Sequence, residues 1–206
     1  MSFHPRMPYG EGWHKSDRQL PEEGPPFAYS EANRRRFEEI ASHYPPEQRK
    51  SAIIAALYIG QEEQGYVSRN VIRHVAEVIG CTTAEVEDVV TYYVMFFTRP
   101  VGKYVLQVCR TLSCALNGAE QVTDALCSHL HIQPGGTDAT GTFTVQEFEC
   151  LGACDRAPVV MINNEHWQEH QRPEDVPRFL EDLRTRGLDA LSGCHLVPAG
   201  EHEPRR

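Results

Sequence analysis

The sequence predicts an α+β protein with a helical N-terminal part and, after it, a small sheet flanked by helices. Three observations predict this division. Four amphipathic stretches follow one another within residues 30–93, each with apolar side chains at helical spacing. Pro100 and Gly102 then interrupt this pattern. Beyond them, short stretches of strand-like composition are interspersed with two helical patterns, which favours a small sheet covered by helices.

Composition limits the class of protein before any motif is considered. The chain has 206 residues, of which 40% are hydrophobic and 24% are charged, as is ordinary for a soluble globular protein. Its net charge of -9 argues against a nucleic-acid partner, because phosphate binding needs basic patches. The longest apolar run, residues 51–60, is too short to span a bilayer, so no direct insertion into a membrane is expected.

Residues 1–29 are predicted to form a flexible N-terminal arm. Proline, glycine and charged residues dominate residues 1–26 and leave little to bury. This stretch has no apolar h-region, so it is not a secretory signal, and its acidic residues disfavour a transit peptide. Seven cysteines without an export signal indicate a reducing compartment, where clustered cysteines are more often metal ligands or redox groups than disulfides.

Residues 30–98 are predicted to form a four-helix bundle. Ser30 is the candidate N-cap of the first helix, Ser68 that of the third, and Thr82 or Thr83 that of the fourth. A proline pair separates the first helix from the second. The apolar stripes of the four helices are Phe37, Ile40, Ala41 and Tyr44; Ile53, Ile54, Leu57 and Tyr58; Ile72, Val75, Ala76 and Ile79; and Val86, Val89, Val90 and Tyr93.

Residues 99–186 are predicted to form the second domain, and residues 187–206 a C-terminal tail. The predicted elements of the domain are a strand at 103–108, a helix at 116–130, strands at 142–148, 159–162 and 166–170, and a last helix that begins at Pro173. Asn163 and Asn164 are expected to turn the chain between the last two strands. This βα-then-ββα order suits a thioredoxin-like α/β fold.

Four cysteines are the candidate metal ligands. Cys109 and Cys114 form a C-x4-C pattern, and Cys150 and Cys154 form a C-x3-C pattern. Cys109 directly follows a predicted strand and Cys154 lies in a loop between two others, so both pairs are expected at the same end of the sheet. Four thiolates in this arrangement favour one [2Fe–2S] cluster. The apolar shell expected around it comprises Leu112, Ala115, Leu116, Leu151 and Ala153.

Zinc binding and thiol chemistry stay open at this point. Four thiolates also suit Zn²⁺, and a chain whose four cysteines held a structural zinc ion would serve as an assembly module. Structural zinc sites favour C-x2-C spacings, whereas the wider loops here suit two irons better. A thioredoxin-type thiol oxidoreductase would need a C-x-x-C pair, which this sequence does not contain.

The residues around both cysteine pairs resemble those of the 24 kDa (E) subunit family of respiratory complex I, NADH:quinone oxidoreductase. The resemblance extends over about residues 30–186. The segments that carry it are 109–118, 149–158 and 161–163, with further similarity at 65–67, 86–89, 91–97 and 99–102. It implies an N-terminal helical bundle and a C-terminal thioredoxin-like [2Fe–2S] ferredoxin domain. The ligands that it implies for one cluster per chain are Cys109, Cys114, Cys150 and Cys154.

The resemblance also implies a redox role and partners. The cluster would exchange an electron with the FMN of an adjacent flavoprotein subunit, which also carries the NADH site and a [4Fe–4S] cluster. The large iron–sulfur subunit of the same complex is a second expected neighbour, in the peripheral arm on the cytoplasmic side of the inner membrane. No NADH site is expected on this chain, and it contains neither a Rossmann glycine motif nor a P-loop. Equivalent subunits of NAD-linked hydrogenases and formate dehydrogenases share the cluster motif and remain alternatives.

Other motifs are predicted to have structural or solvent-exposed roles. His166 to His170 form an H-x-x-E-H pattern that acts on a helix in metalloproteases, but here an exposed hairpin strand is favoured. Cys127 is predicted to be a buried core thiol, and Cys81 and Cys194 are predicted to be free. The basic run at residues 34–36 is predicted to be a solvated face, with docking on an acidic partner as the alternative.

Overall fold

The computed structural model describes residues 21–191, and the chain divides into two compact units, Met1–Pro100 and Val101–Arg206. Each unit has an apolar core of its own. In the first unit, the α-helices of the described residues are α1 (Glu31–Ala41), α2 (Ile53–Gln64), α3 (Arg69–Ile79) and α4 (Thr83–Tyr92). Within residues 21–191, none of the helices combines the length and the apolar character needed to cross a bilayer.

Three helices of the first unit begin at predicted caps. The side chains of Ser30, Ser68 and Thr82 accept hydrogen bonds from the backbone N–H three residues ahead, at 3.3, 3.2 and 3.3 Å. At α4 the Glu85 carboxylate also accepts from the Thr82 N–H at 2.9 Å, which completes a capping box. These bonds satisfy N–H groups that the first turn of a helix leaves without partners, so the predicted helix starts are confirmed.

The apolar stripes of the four helices meet in one core, where Phe37 and Leu57 are completely buried. Tyr44 departs from the prediction, because α1 ends before it and its side chain is exposed. The second helix also begins later than the proline pair predicts. Residues 46–52 form a 3₁₀ segment with a non-helical residue at Gln48, and regular α-helix starts only at Ile53.

Residues 21–29 belong to the first unit, so the predicted flexible arm does not describe them. The side-chain amide of Asn70 donates to two carbonyls of this segment, both at 3.0 Å. Tyr29 is buried, and its hydroxyl donates to a backbone carbonyl of α2 at 2.6 Å. The composition of residues 21–29 gave no sign that their carbonyls have hydrogen-bond partners, but Asn70 of α3 donates to two of them. Residues 1–20 of the predicted arm lie outside the described part of the chain.

A half-buried histidine packs against this segment. His74, on α3, lies edge-on to the ring of Tyr29 with centroids 4.5 Å apart, and its Nε2 accepts from the Tyr29 N–H at 3.2 Å. Burial lowers the pKa of His74 from 6.5, and the nearby Arg34 acts in the same direction. Glu77 and Glu63 oppose this shift without reversing it. The folded unit therefore favours the neutral imidazole, which alone can accept the Tyr29 hydrogen bond.

The first unit is expected to lose stability when the pH falls below about 6.5. Because the folded pKa of His74 lies below the unfolded one, its contribution is complete above the unfolded pKa and is lost as the pH falls through the folded pKa. Urea unfolding at pH 7.5 and 5.0 measures this. The pH dependence should shrink in His74→Gln and persist in His43→Gln, which changes an exposed histidine of the same unit. An equal pH dependence in both variants would contradict the assignment.

The second unit is a four-stranded sheet with helices packed on it. Its elements are β1 (Tyr104–Cys109), α5 (Leu112–Leu116), α6 (Ala119–Leu130), β2 (Phe143–Phe148), β3 (Val160–Ile162), β4 (His166–Gln168) and α7 (Val176–Arg186). The strand order is β2-β1-β3-β4, with β1 and β2 parallel and the other pairs antiparallel. Helix α6 packs against β1 and β2, and α7 packs against α6. The predicted strand positions are confirmed, but three strands, β2 to β4, lie between α6 and α7, one more than the βα-then-ββα order has.

The register of the sheet brings several loops to one edge. Cys109 at the end of β1 lies opposite Phe148 at the end of the parallel strand β2. The antiparallel strand β3 begins at the same edge, where Val160 pairs with Val108. The loops that follow β1 and β2 and the loop that precedes β3 therefore meet there, as the sequence predicts for both cysteine pairs.

One of two predicted features of this unit is changed and the other is confirmed. The helix predicted at 116–130 begins only at Ala119, after Gly118, whose φ of +94° is unfavourable for other residues, and Leu116 instead ends the separate short helix α5. The predicted hairpin turn is confirmed, since Asn163 and Asn164 both adopt positive φ, as such tight turns require.

The predicted C-terminal tail begins later than expected. Residues 187–190 form a 3₁₀ turn, and Leu191 is buried in the core of the second unit. The tail prediction is therefore wrong for residues 187–191, because α7 is followed by an apolar anchor rather than by solvated chain. Residues 192–206, which include Cys194, lie outside the described part.

Candidate metal centre

The four predicted ligands lie at the edge of the sheet where the loops meet. Cys109 ends β1 and Cys114 lies in α5, and both are buried. Cys150 follows β2, Cys154 begins a 3₁₀ turn, and both are exposed. All four are free thiols. The site therefore has a buried half and a half that faces solvent.

The thiols interact both within each pair and between the two pairs. The Sγ atoms of Cys150 and Cys154 are 3.9 Å apart. Cys114 interacts with both Cys109 and Cys154. Burial above all, and then the Cys109 thiol, raise the pKa of Cys114 to about 11. Repulsion between neighbouring thiolates makes it unfavourable for all of these thiols to ionise together. Bound metal cations compensate this repulsion because they stabilise thiolates.

Backbone N–H groups are directed at the sulfur atoms. Gly152 donates to Cys150 Sγ at 3.4 Å from a backbone with φ of +77°, which strains any residue with a side chain. This bond is the leading cause that lowers the pKa of Cys150. The Val159 N–H acts on Cys114 in the same direction, although burial outweighs it. Such donors stabilise negative charge on sulfur.

The donor set fits a [2Fe–2S] cluster, which needs four thiolates with two on each iron. Two sulfurs bound to one tetrahedral metal at about 2.3 Å lie about 3.8 Å apart. The 3.9 Å between the Cys150 and Cys154 sulfurs meets this requirement. Within the described residues, 21–191, no three His, Cys, Asp or Glu side chains converge as ligands of a single ion.

The carboxylates next to the ligands are paired with arginines. The Nη2 atom of Arg110 lies 3.2 Å from Oε1 of Glu149, which precedes Cys150. The Nε atom of Arg156 lies 3.1 Å from Oδ2 of Asp155, and its Nη1 atom lies 2.8 Å from Oε2 of Glu169. These ion pairs offset negative charge beside a site whose thiolates are themselves anionic. No local pattern indicates the first pair, because its two residues are distant in the chain.

Part of the expected apolar shell is placed differently. Leu151 and Ala153 pack against the core of the second unit, as expected. Leu112 and Leu116, in contrast, are 75% and 78% exposed, and Ala115 between them is exposed as well. The prediction is wrong for these three residues, because α5 has only five residues and presents them to solvent.

The remaining motifs have the structural roles that the sequence favours. His166 lies on strand β4, so the H-x-x-E-H pattern is not on a helix. Cys127 is buried in the core of the second unit. Cys81 is half-buried, and burial raises the pKa of its thiol. In the basic run, Arg35 pairs with the i−4 glutamate and Arg36 with a glutamate of α2, so both are engaged within their own unit.

Two relatives of this chain are subunits of NADH-quinone oxidoreductases. It is 44% identical over 148 residues to NADH-quinone oxidoreductase subunit 2 of Thermus thermophilus, covering 72% of this chain and 82% of the relative. It is 38% identical over 155 residues to the E subunit of the NADH-quinone oxidoreductase of Escherichia coli K12, covering 75% of this chain and 92% of the relative.

A solved structure and a family model support the same fold. A chain of an NAD+-reducing [NiFe]-hydrogenase matches with a TM-score of 0.56 and 19% identity, over 65% of this chain and 22% of that chain. At this identity the likeness concerns the fold. The model of the thioredoxin-like [2Fe–2S] ferredoxins matches residues 37–184. Both cysteine pairs and the whole four-stranded sheet fall within that match, and the chain belongs to the thioredoxin-like [2Fe–2S] ferredoxin family.

Proposed function

We propose that this chain is an electron-transfer subunit of an NADH:quinone oxidoreductase and that its four clustered cysteines, Cys109, Cys114, Cys150 and Cys154, hold one [2Fe–2S] cluster. The observation that carries the proposal is the meeting of these thiols at one edge of the sheet in a member of this family. The named relatives, which match most of this chain, are subunits of that enzyme. When bound, the cluster supplies a one-electron carrier.

The chain's own residues would prepare the site for this role. The sheet and α5 fix the buried ligands Cys109 and Cys114. The N–H of Gly152 stabilises negative charge on the sulfur of Cys150. Arg110 directly follows Cys109, and Glu149 directly precedes Cys150. Their ion pair offsets the negative charge of the Glu149 carboxylate beside the site. A rigid and partly dry set of ligands needs little rearrangement when charge changes, which favours electron transfer over bond-making chemistry.

We propose that the electron partner is an FMN- and NADH-binding flavoprotein subunit, with the large iron–sulfur subunit as a second neighbour. The solvent-facing cysteines Cys150 and Cys154 support this, because an electron must enter or leave through a side of the site that a partner can approach. The exposed Leu112 and Leu116 lie on the helix that carries Cys114 and supply apolar surface for such a contact. In this role the chain would belong to the cytoplasmic peripheral arm of the complex.

The helical unit is proposed to be a four-helix bundle, residues 30–98, that serves assembly, while residues 99–186 carry the redox function. Two features support an assembly surface. Tyr92 and Val94, at the end of α4, expose large apolar side chains. The core of this unit is closed by its own helices and by residues 21–29, and it offers no cluster of ligands of its own among the described residues.

Electron exchange with the flavoprotein can be tested directly. The chain, loaded with its cluster, is mixed anaerobically with NADH in the presence or absence of the flavoprotein subunit. Electron paramagnetic resonance should detect a reduced two-iron signal only when the flavoprotein is present, because no NADH site is expected on this chain. Reduction by NADH without the flavoprotein would overturn the proposed partner. The proposed partner would also be overturned if the cluster stayed oxidised in the complex although NADH fully reduced the flavin and the reduction potential of the cluster permitted its reduction.

A further inference from the structure

Thr111 occupies a helix N-cap but does not use its side chain for capping. It precedes α5, and no hydrogen bond joins its hydroxyl to the N–H groups of that helix. The N-caps Ser30, Ser68 and Thr82 of the first unit all make this bond. Ser and Thr are favoured at N-caps because their oxygen accepts such a bond. The Thr111 hydroxyl is therefore directed elsewhere.

The hydroxyl of Thr111 lies against the sulfur of a candidate ligand. Its Oγ1 is 3.2 Å from Cys109 Sγ, which is hydrogen-bond distance for sulfur. Cys109 is buried at the end of β1 and is one of the four candidate ligands.

The direction of the Thr111 hydrogen bond depends on the state of the sulfur. Between a hydroxyl and a neutral thiol, either atom can donate. A sulfur that binds a metal is a thiolate and carries no proton, so it can only accept. With Cys109 as a ligand, the Thr111 hydroxyl must therefore be the donor in this contact.

We propose that the Thr111 hydroxyl donates a hydrogen bond to a ligand sulfur and thereby raises the reduction potential of the cluster. The inference rests on the proposed ligand set. Reduction adds negative charge, which spreads onto the sulfurs, and a donor at sulfur stabilises the reduced form more than the oxidised one. The backbone donors of Gly152 and Val159 act in the same direction, but a side-chain substitution cannot remove them. Thr111 is a positioning and tuning residue whose contribution can be deleted by itself.

The test compares midpoint potentials of cluster-bearing proteins by redox titration. Thr111→Val keeps the shape and removes the hydroxyl, and it should lower the equilibrium constant for reduction by about threefold to tenfold, where tenfold equals about 59 mV for one electron. Thr111→Ser should restore the wild-type potential. Thr185→Val is the matched control, because the Thr185 hydroxyl donates only within α7. Equal potentials in wild type and Thr111→Val would overturn the inference.

A second readout reports the hydrogen bond itself. Electron–nuclear double resonance on reduced protein, before and after exchange into D₂O, should detect an exchangeable proton that is present in wild type and Thr111→Ser and missing in Thr111→Val. An unchanged set of exchangeable protons in Thr111→Val would count against the hydroxyl as donor. If the Thr111→Val protein does not hold the cluster, Thr111→Ala is used in its place. If both variants lose the cluster while Thr111→Ser keeps it, the tuning role is overturned in favour of a role in cluster assembly.

These outcomes separate the inference from the function on which it rests. A wild-type protein without any two-iron signal would refute the proposed ligand set. A wild-type cluster whose potential and exchangeable protons do not respond to Thr111→Val would refute only the role of Thr111.

Discussion

Cys114→Ala is expected to reduce bound iron and acid-labile sulfide by at least about tenfold, since even outer-shell changes at metal sites cost 10–100-fold in affinity. Cys114 is buried and interacts with thiols of both pairs, so its removal leaves a gap that water or another side chain cannot readily fill. Alanine offers no donor atom, whereas serine would keep an oxygen that can bind iron. The measurement is the iron and sulfide content of protein purified without oxygen.

Cys127→Ala is the matched control for this loss. Cys127 is also buried in the second unit, but it lies on α6 in the apolar core. Its replacement should leave iron and sulfide at wild-type levels and cost only packing, about 1 kcal/mol of stability. A full complement of iron and sulfide in Cys114→Ala, or equal losses in both variants, would contradict the assignment of Cys114 as a ligand.

Phe143→Ala is expected to lower the free energy of unfolding of the second unit by about 3–5 kcal/mol. Phe143 is completely buried at the start of β2, where its ring lies 5.6 Å from that of Tyr104 on β1. The Arg184 guanidinium of α7 covers the same ring at 5.2 Å. The substitution therefore opens a cavity where β1, β2 and α7 meet. Urea unfolding of the cluster-free protein measures the loss without a contribution from the bound metal.

The control for Phe143→Ala is Leu116→Ala, which removes an apolar side chain that is 78% exposed. It should change the free energy of unfolding by no more than about 0.5 kcal/mol. If both substitutions destabilised the protein equally, Phe143 would not have the packing role that its burial assigns to it.

Signals within a short stretch of sequence predicted most of the fold. Ser30, Ser68 and Thr82 begin helices by hydrogen bonds that reach only three residues ahead, so the residue types suffice to locate them. The Asn163–Asn164 turn is likewise local, because asparagine tolerates positive φ. The meeting of the two cysteine pairs at one edge was expected from their places beside strand ends, and the register of β1 with β2 and β3 agrees.

Errors arose where contacts between distant segments decide the outcome. Residues 21–29 have the composition of a free arm, yet Asn70 of α3 binds their carbonyls. The short helix α5 was not predicted; it ends at Leu116, before the break at Gly118, and it leaves Leu112 and Leu116 exposed. The periodicity of apolar residues carries no information about such an interruption.

The four candidate ligands stay a prediction, and the structure adds surroundings that the sequence did not indicate. The spacing of the cysteines, together with the family resemblance, led to four thiols that the structure brings near one another. The Arg110–Glu149 ion pair depends on how the loops meet in space. No local pattern distinguishes Thr111 from an ordinary N-cap, because only the structure shows that its hydroxyl makes no capping bond and lies against Cys109 instead.

Electron paramagnetic resonance of anaerobically purified, dithionite-reduced protein tests the central claim most directly, when iron, sulfide and zinc are counted in the same sample. We expect a one-electron signal typical of a reduced two-iron cluster, with two irons and two sulfides per chain, as a [2Fe–2S] centre requires. A silent sample that contains zinc and no sulfide would contradict the account and would leave the chain as an assembly module with a structural metal site.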